Sequence, residues 1–200
     1  MKTILISLFI LTNLSLALSQ TKPSVKEAKG LAIGRMAPDF SAINAHHEII
    51  HLKDALKQGP VVLIFYRGFW CPVCNQHLAQ LQDSLQLIEN KGAKVIAISP
   101  EKPEYLNKMS EKSGTQFTLL YDQDYTIANA YDVNYQPSKS QLMTYNVVLG
   151  AKMKKTHGTH EQNLPIPATY IIGMDGIIQW RQFDPNYKNR SSVKEILENL

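Results

Sequence analysis

The stretch that decides the fold is Val61-Val62-Leu63-Ile64-Phe65-Tyr66-Arg67-Gly68-Phe69-Trp70-Cys71-Pro72-Val73-Cys74. Its first six residues are continuously apolar, β-branched and aromatic, which reads as a central strand buried on both faces. Arg67 to Trp70 form the loop leaving that strand. A helix follows, with Pro72 suited to its first turn, where a missing N–H costs nothing. Cys74, Leu78, Leu81, Leu85 and Ile88 then recur at helical spacing and make one buried stripe. Asn90-Lys91-Gly92 ends the helix.

The two cysteines of the chain both lie in this turn. Two cysteines build no disulfide framework and do not alone complete a four-ligand zinc site. A thiolate, not a thiol, is the nucleophile, and the free N–H groups and partial positive charge of a helix N-terminus favour the anion. Cys71 stands at that terminus. Cys74 lies one turn deeper on the apolar stripe and is the less exposed sulfur. The spacing lets one sulfur attack a substrate and the other resolve the adduct as a Cys71–Cys74 disulfide.

Outward from this turn the chain reads as alternating strands and helices. Residues 95–99 and 117–121 are strand candidates, and 103–113 and 124–131 are helix candidates. Upstream, residues 40–43 and 48–51 are short strands before a helical turn at 52–58. Residues 133–164 are the least legible part, with a helix near 138–145 and then a Lys-, His- and Gly-rich loop. Residues 168–172 and 177–183 form a hairpin around Met174-Asp175-Gly176. Ser192-Val193-Lys194-Glu195 has capping-box spacing and starts a last helix. This order describes an α/β sandwich with parallel neighbours and one antiparallel pair.

The chain has 200 residues and a mass of 22.6 kDa, which is one ordinary domain. A net charge of +4, from 21 basic against 17 acidic residues, leaves no dominant basic face, so nucleic-acid binding is not indicated. Met1-Lys2 and the apolar run 4–18 read as a signal peptide cut after Ala17-Leu18-Ser19. The run is shorter than the ~20 residues of a membrane span. The expected organisation is a signal peptide at 1–19, a linker at 20–33 and one domain at 34–200, exported to a periplasm or secreted. Export makes a cysteine pair oxidisable. The loop it would close is too short for stapling to be its purpose.

The segment 65–74 resembles the active-site turn of thioredoxin-fold proteins. More narrowly, the chain resembles the peroxiredoxin-like branch of the alkyl hydroperoxide reductase/thiol-specific antioxidant family. Gly34-Arg35-Met36-Ala37-Pro38-Asp39-Phe40, Val95-Ile96-Ala97-Ile98-Ser99 and Pro165-Ile166-Pro167-Ala168-Thr169-Tyr170-Ile171-Ile172 are similar to three further family segments. The resemblance covers about residues 34 to 200. It implies a thioredoxin-like fold with an N-terminal extension, a central mixed β-sheet and helices on both faces.

In peroxiredoxins a Thr or Ser precedes the peroxidatic Cys by three residues. Here Cys71 holds that place and Cys74 falls at the peroxidatic position. In thioredoxins both are Cys and the first attacks, so the resemblance leaves the nucleophile open. Pro167 matches the thioredoxin cis-proline position, where peroxiredoxins carry an activating Arg. Arg67 stands where the peroxiredoxin motif begins with Pro. Both departures point toward thiol–disulfide exchange on a peroxiredoxin-like frame. Arg67, Trp70, Pro72, Pro167 and Thr169 are the expected neighbours of the catalytic pair.

Trp70 is read either as a docking surface or as a packing residue. Arg67 is read as a holder of a thiolate or as a solvated loop residue. His77 is placed at the helix surface or boundary, within reach of exchanging protons with Cys74. Lys152, Lys154, Lys155, His157 and His160 are read as a solvated basic loop, and the polar turn 184–190 is given no catalytic role.

The implied activity is reduction of peroxides or protein disulfides through Cys71 and Cys74. No cofactor or metal is expected, and an external reductant, a small thiol or a thioredoxin-like protein, reopens the disulfide. A homodimer is implied by resemblance only. The alternatives are a disulfide oxidoreductase without peroxidase activity, a metal-binding module using both thiolates and a histidine, and an idle interaction domain.

Overall fold

The computed structural model describes Ser24, Val25 and residues 27–200, so the expected signal peptide lies outside the described residues. Strands β1 (Ser41–Asn44) and β2 (Ile49–His51) come first, followed by helix α1 (Leu52–Leu56). Then come β3 (Val61–Phe65), α2 (Pro72–Asp83), α3 (Leu85–Glu89), β4 (Lys94–Ser99), α4 (Pro103–Ser113) and β5 (Thr118–Tyr121). The second half holds α5 (Thr126–Ala130), β6 (Asn134–Tyr135), α6 (Lys139–Met143), α7 (Met153–Thr156), β7 (Leu164–Pro165), β8 (Ala168–Ile172), β9 (Ile178–Phe183) and α8 (Val193–Glu198).

Seven strands form one mixed sheet in the order β2-β1-β5-β4-β3-β8-β9. Strand β3 runs parallel to β4 and antiparallel to β8, and β4 runs parallel to β5. Alternation along β3 serves both faces. Val62 and Ile64 pack with Leu78, Leu81, Leu106 and Ile196, while Val61, Leu63 and Phe65 pack with Leu52, Leu56 and Ile127. A strand buried on both sides must be apolar throughout, as the uninterrupted run of β3 is. The expected thioredoxin-like sheet with helices on both faces is therefore present.

Three expectations need correction. The helix expected from Pro72 to Ile88 is two. It breaks at Ser84, whose φ of −112° and ψ of 10° leave the helical region. Ser competes poorly for helix interiors, and the stripe survives the break because Leu78, Leu81 and Ile88 all stay buried. The helix expected at residues 124–131 is a 3-10 turn, with Asp124 and Tyr125 at positive φ, followed by α5. The excursion 133–164 carries more structure than a helix and a loop. Strands β6 and β7 pair at its base, and inside it α6 runs into a π-helical turn at Thr144–Val148, with α7 beyond.

Within the stretch read as a linker, residues 28–31 lie against the sheet. Arg181 Nη1 donates to the carbonyls of Lys29, Gly30 and Leu31 at 3.0, 3.0 and 2.7 Å. The Leu31 N–H donates to the Tyr170 hydroxyl at 3.2 Å, and Ala28 is buried. Among the described residues no helix is long and apolar enough to cross a membrane.

Candidate active site

Strand β3 ends at Phe65 and delivers Tyr66 and Arg67 into the interior before the chain turns into α2. Cys71 is the N-cap of that helix and Pro72 its first residue. The Cys71 carbonyl accepts the N–H groups of Cys74 and Asn75 at 3.0 and 3.1 Å, which closes the first turn. The two sulfurs stand 2.7 Å apart and share a hydrogen bond. Both cysteines are free and both are fully buried.

The turn between strand and helix is held by groups the sequence did not single out. Gly68 has φ +151°, and a Cβ there would meet Trp70 Nε1 at 2.5 Å and Glu101 Oε1 at 2.6 Å. The Phe69 N–H donates to Glu101 Oε2 at 2.7 Å, and Asn75 Nδ2 donates to the Phe69 carbonyl at 3.0 Å. Glu101 is wholly buried, and burial pushes its carboxyl well above the usual carboxylate range. Burial thus favours its protonated form.

Two guanidiniums reach the two sulfurs, one each. Arg67 Nη2 donates to Cys71 Sγ at 3.0 Å, and Arg190 Nη2 donates to Cys74 Sγ at 3.5 Å. Arg67 is 2% exposed, so the solvated reading is wrong. A buried Arg survives because aromatic faces replace its water. Its Cζ lies 5.3 Å from the Trp70 ring centre, 5.2 Å from Tyr145 and 3.8 Å from Tyr187. Burial alone would weaken its hold on its proton, but the two sulfurs keep it charged.

The same contacts divide the sulfurs. Burial opposes ionisation of Cys74, but the hydrogen bond from Cys71 and the charges of Arg190 and Arg67 hold it well below the usual thiol range. The hydrogen bond to Cys74, burial and the Cys74 charge push Cys71 up and outweigh Arg67. The contacts thus favour the anion on Cys74 and the proton on Cys71.

Arg190 belongs to the turn between β9 and α8. Its Nε donates to the Tyr187 carbonyl at 2.7 Å. The next residue, Ser191, is pinned twice. Its hydroxyl lies 2.8 Å from Thr169 Oγ1, and its carbonyl lies 3.0 Å from His77 Nε2. Thr169 sits on β8 opposite Ile64. His77 is buried, not at the helix surface, and burial and the Arg190 charge lower it to about 4, so its ring is neutral. Thr169 and His77 thus fix the backbone that carries Arg190 over Cys74.

The other expected neighbours divide. Trp70 is 4% exposed and packs on Tyr145 at 5.2 Å, so it is a wall of the site and not a docking surface. Pro72 is exposed and serves the helix start. Pro167 is buried just before β8, but its peptide bond is trans, unlike the cis proline of the position it matches.

His157 does not belong to a solvated basic loop. It is 1% exposed, and its Nδ1 lies 2.9 Å from the Tyr125 hydroxyl. Among the described residues no group of three His, Cys, Asp or Glu side chains is placed to hold a metal ion.

The sequence pattern of the AhpC/TSA family matches residues 33–181. The chain belongs to the AhpC/TSA family. It is a peroxiredoxin-like member of the thioredoxin-like superfamily. Among AhpC/TSA relatives, Peroxiredoxin Bcp of Bacillus subtilis is 28% identical over 172 residues, which cover 85% of this chain and 95% of the relative. Peroxiredoxin Bcp of Escherichia coli is 35% identical over 104 residues, 52% of this chain and 65% of the relative.

The fold of this AhpC/TSA member is similar to that of Peroxidoxin BcpB from Mycobacterium tuberculosis. The TM-score is 0.65 at 18% identity, covering 84% of this chain and 96% of that one. It is also similar to reduced Prx3 from Vibrio vulnificus, solved in complex with hydrogen peroxide, with a TM-score of 0.66 at 15% identity over 84% and 97%.

Proposed function

We propose that the chain is a thiol peroxidase in which Cys74 attacks peroxide and Cys71 resolves the product within one helical turn. The observation that carries this reading is the sulfur pair at 2.7 Å with a guanidinium on Cys74. Family membership supports the same chemistry, and the resemblance to peroxiredoxins aligns Cys74 with their peroxidatic position.

The Cys74 thiolate attacks one peroxide oxygen. An S–O bond forms, the O–O bond breaks, and the sulfur loses two electrons to become a sulfenic acid. The Cys71 proton passes to the departing alkoxide or hydroxide. The Cys71 thiolate then attacks the Cys74 sulfur, forming the disulfide and expelling hydroxide, which solvent protonates. Two electrons from an external thiol, small or carried by a thioredoxin-like protein, reopen it. All the protein groups in this cycle come from one chain.

The test is peroxide consumption by dithiol-reduced protein. Cys74→Ser should abolish it, and Cys71→Ser should allow one turnover and trap a sulfenate visible by mass. Peroxide left untouched by reduced protein that still reduces insulin would establish disulfide exchange as the activity instead. We also propose that the chain is exported after cleavage before Gln20, on the strength of the apolar run 4–18. The N-terminal mass of the secreted or periplasmic protein checks that step.

A further inference from the structure

We infer that the two guanidiniums act at successive steps: Arg190 steadies the Cys74 sulfur while it attacks peroxide, and Arg67 steadies the Cys71 sulfur for disulfide closure. This rests on the peroxidase reading of the site. The geometry separates the two roles. Arg190 Nη2 reaches Cys74 at 3.5 Å, and Arg67 Nη2 reaches Cys71 at 3.0 Å.

Arg67 is not free to follow the charge to Cys74. Three rings, from Trp70, Tyr145 and Tyr187, pack around its Cζ within 5.3 Å. Arg190 is held too, because its Nε is bonded to the Tyr187 carbonyl and its neighbour Ser191 to Thr169 and His77. The charge of Arg67 is felt by both sulfurs, but each guanidinium gives its hydrogen bond to one sulfur only.

The negative charge itself moves during the cycle. It begins on Cys74, which becomes a neutral sulfenic acid when the S–O bond forms. The proton lost by Cys71 goes to the leaving oxygen, so the charge reappears on Cys71, against Arg67. A closing thiol must be a thiolate to attack. For a fully buried sulfur, a charge-assisted hydrogen bond is what supports that anion. Arg67 supplies it where the charge arrives, with no movement of the loop.

The experiment is a single turnover of reduced protein with one equivalent of hydrogen peroxide, quenched in time and read by mass as thiol, sulfenate and disulfide. Arg67→Gln should slow disulfide closure at least ten-fold more than it slows sulfenate formation, so that sulfenate accumulates. Arg190→Gln should do the reverse and accumulate none. Arg67→Lys keeps a charge among the rings and should recover part of the closure rate. It also carries the test if Arg67→Gln does not fold. Slowing of the same step by substitutions at both positions, or wild-type closure in either Arg67 variant, overturns the division of roles and leaves the peroxidase reading standing. A wild-type protein that forms no sulfenate overturns the peroxidase reading itself, and the division of roles with it.

Discussion

At the scale of single residues, Glu101 shows how a buried acid shapes this site. One oxygen accepts the Phe69 N–H and so holds the turn that leads to Cys71. Its native carboxyl is raised above the ordinary value of 4.5, so its proton is lost far more easily from the unfolded chain. Its contribution to stability is therefore full below pH 4.5. It falls as pH rises above that value, until the native carboxyl ionises too. Glu101→Gln keeps the acceptor oxygen and removes the ionisation. Its unfolding free energy, measured by denaturant titration from pH 4 to 8, should lose this downward slope relative to wild type. Parallel wild-type and variant curves would show that Glu101 ionises normally. Neither Glu101 nor Arg190 was legible in the sequence. Arg190 lies in a run of Asp, Asn, Tyr and Lys that reads as a solvated turn, and its partner sulfur is 116 positions away.

At the scale of elements, the strand-to-helix turn is a tightly constrained joint. Gly68 sits where a Cβ would strike the Glu101 carboxyl and the Trp70 indole, at a φ that also disfavours any side chain. Gly68→Ala should cost roughly 1–3 kcal/mol of stability. It should also lower peroxide turnover by displacing Trp70, a wall of the Arg67 cage. Thermal melts and initial rates check the two effects together, and an alanine variant that matches wild type in both would show that the turn relaxes freely. The elements beside this joint were legible because each has a long enough pattern. Strand β3 is a continuous apolar run, and α4 and α8 open with a proline and a capping box respectively. The excursion at 133–164 was not legible, because elements of two to five residues repeat a strand or helix period too few times to show a pattern. It nevertheless supplies Tyr145, and the π-helical turn that carries Tyr145 is a conformation no spacing rule announces.

At the scale of the whole molecule, the fold gathers one site from four distant stretches: the β3–α2 turn, Glu101, the excursion with Tyr145, and the turn after β9. Only the first was visible as chemistry in the sequence, since the rest are joined to it by topology alone. The N-terminal segment is tied to the same sheet through Arg181 and Tyr170. A protein starting at residue 34 should be less stable than one starting at residue 24 by about 1–3 kcal/mol, the worth of hydrogen bonds to a charged donor. Equal denaturation midpoints would mean that these contacts contribute nothing. The paired arginines have one more consequence, for the direction in which electrons flow. In the dithiol state a buried anion stands between two cations. In the oxidised state that anion is gone, and two positive charges face each other across a neutral bond. The protein thus stabilises its reduced form, as strongly oxidising dithiol proteins do. Its reduction potential should lie above the about −270 mV of thioredoxin, and the oxidised protein should melt at a lower temperature than the reduced one. Glutathione redox titration and paired melts measure both, and an oxidised form that melts higher would mark the bond as a staple after all.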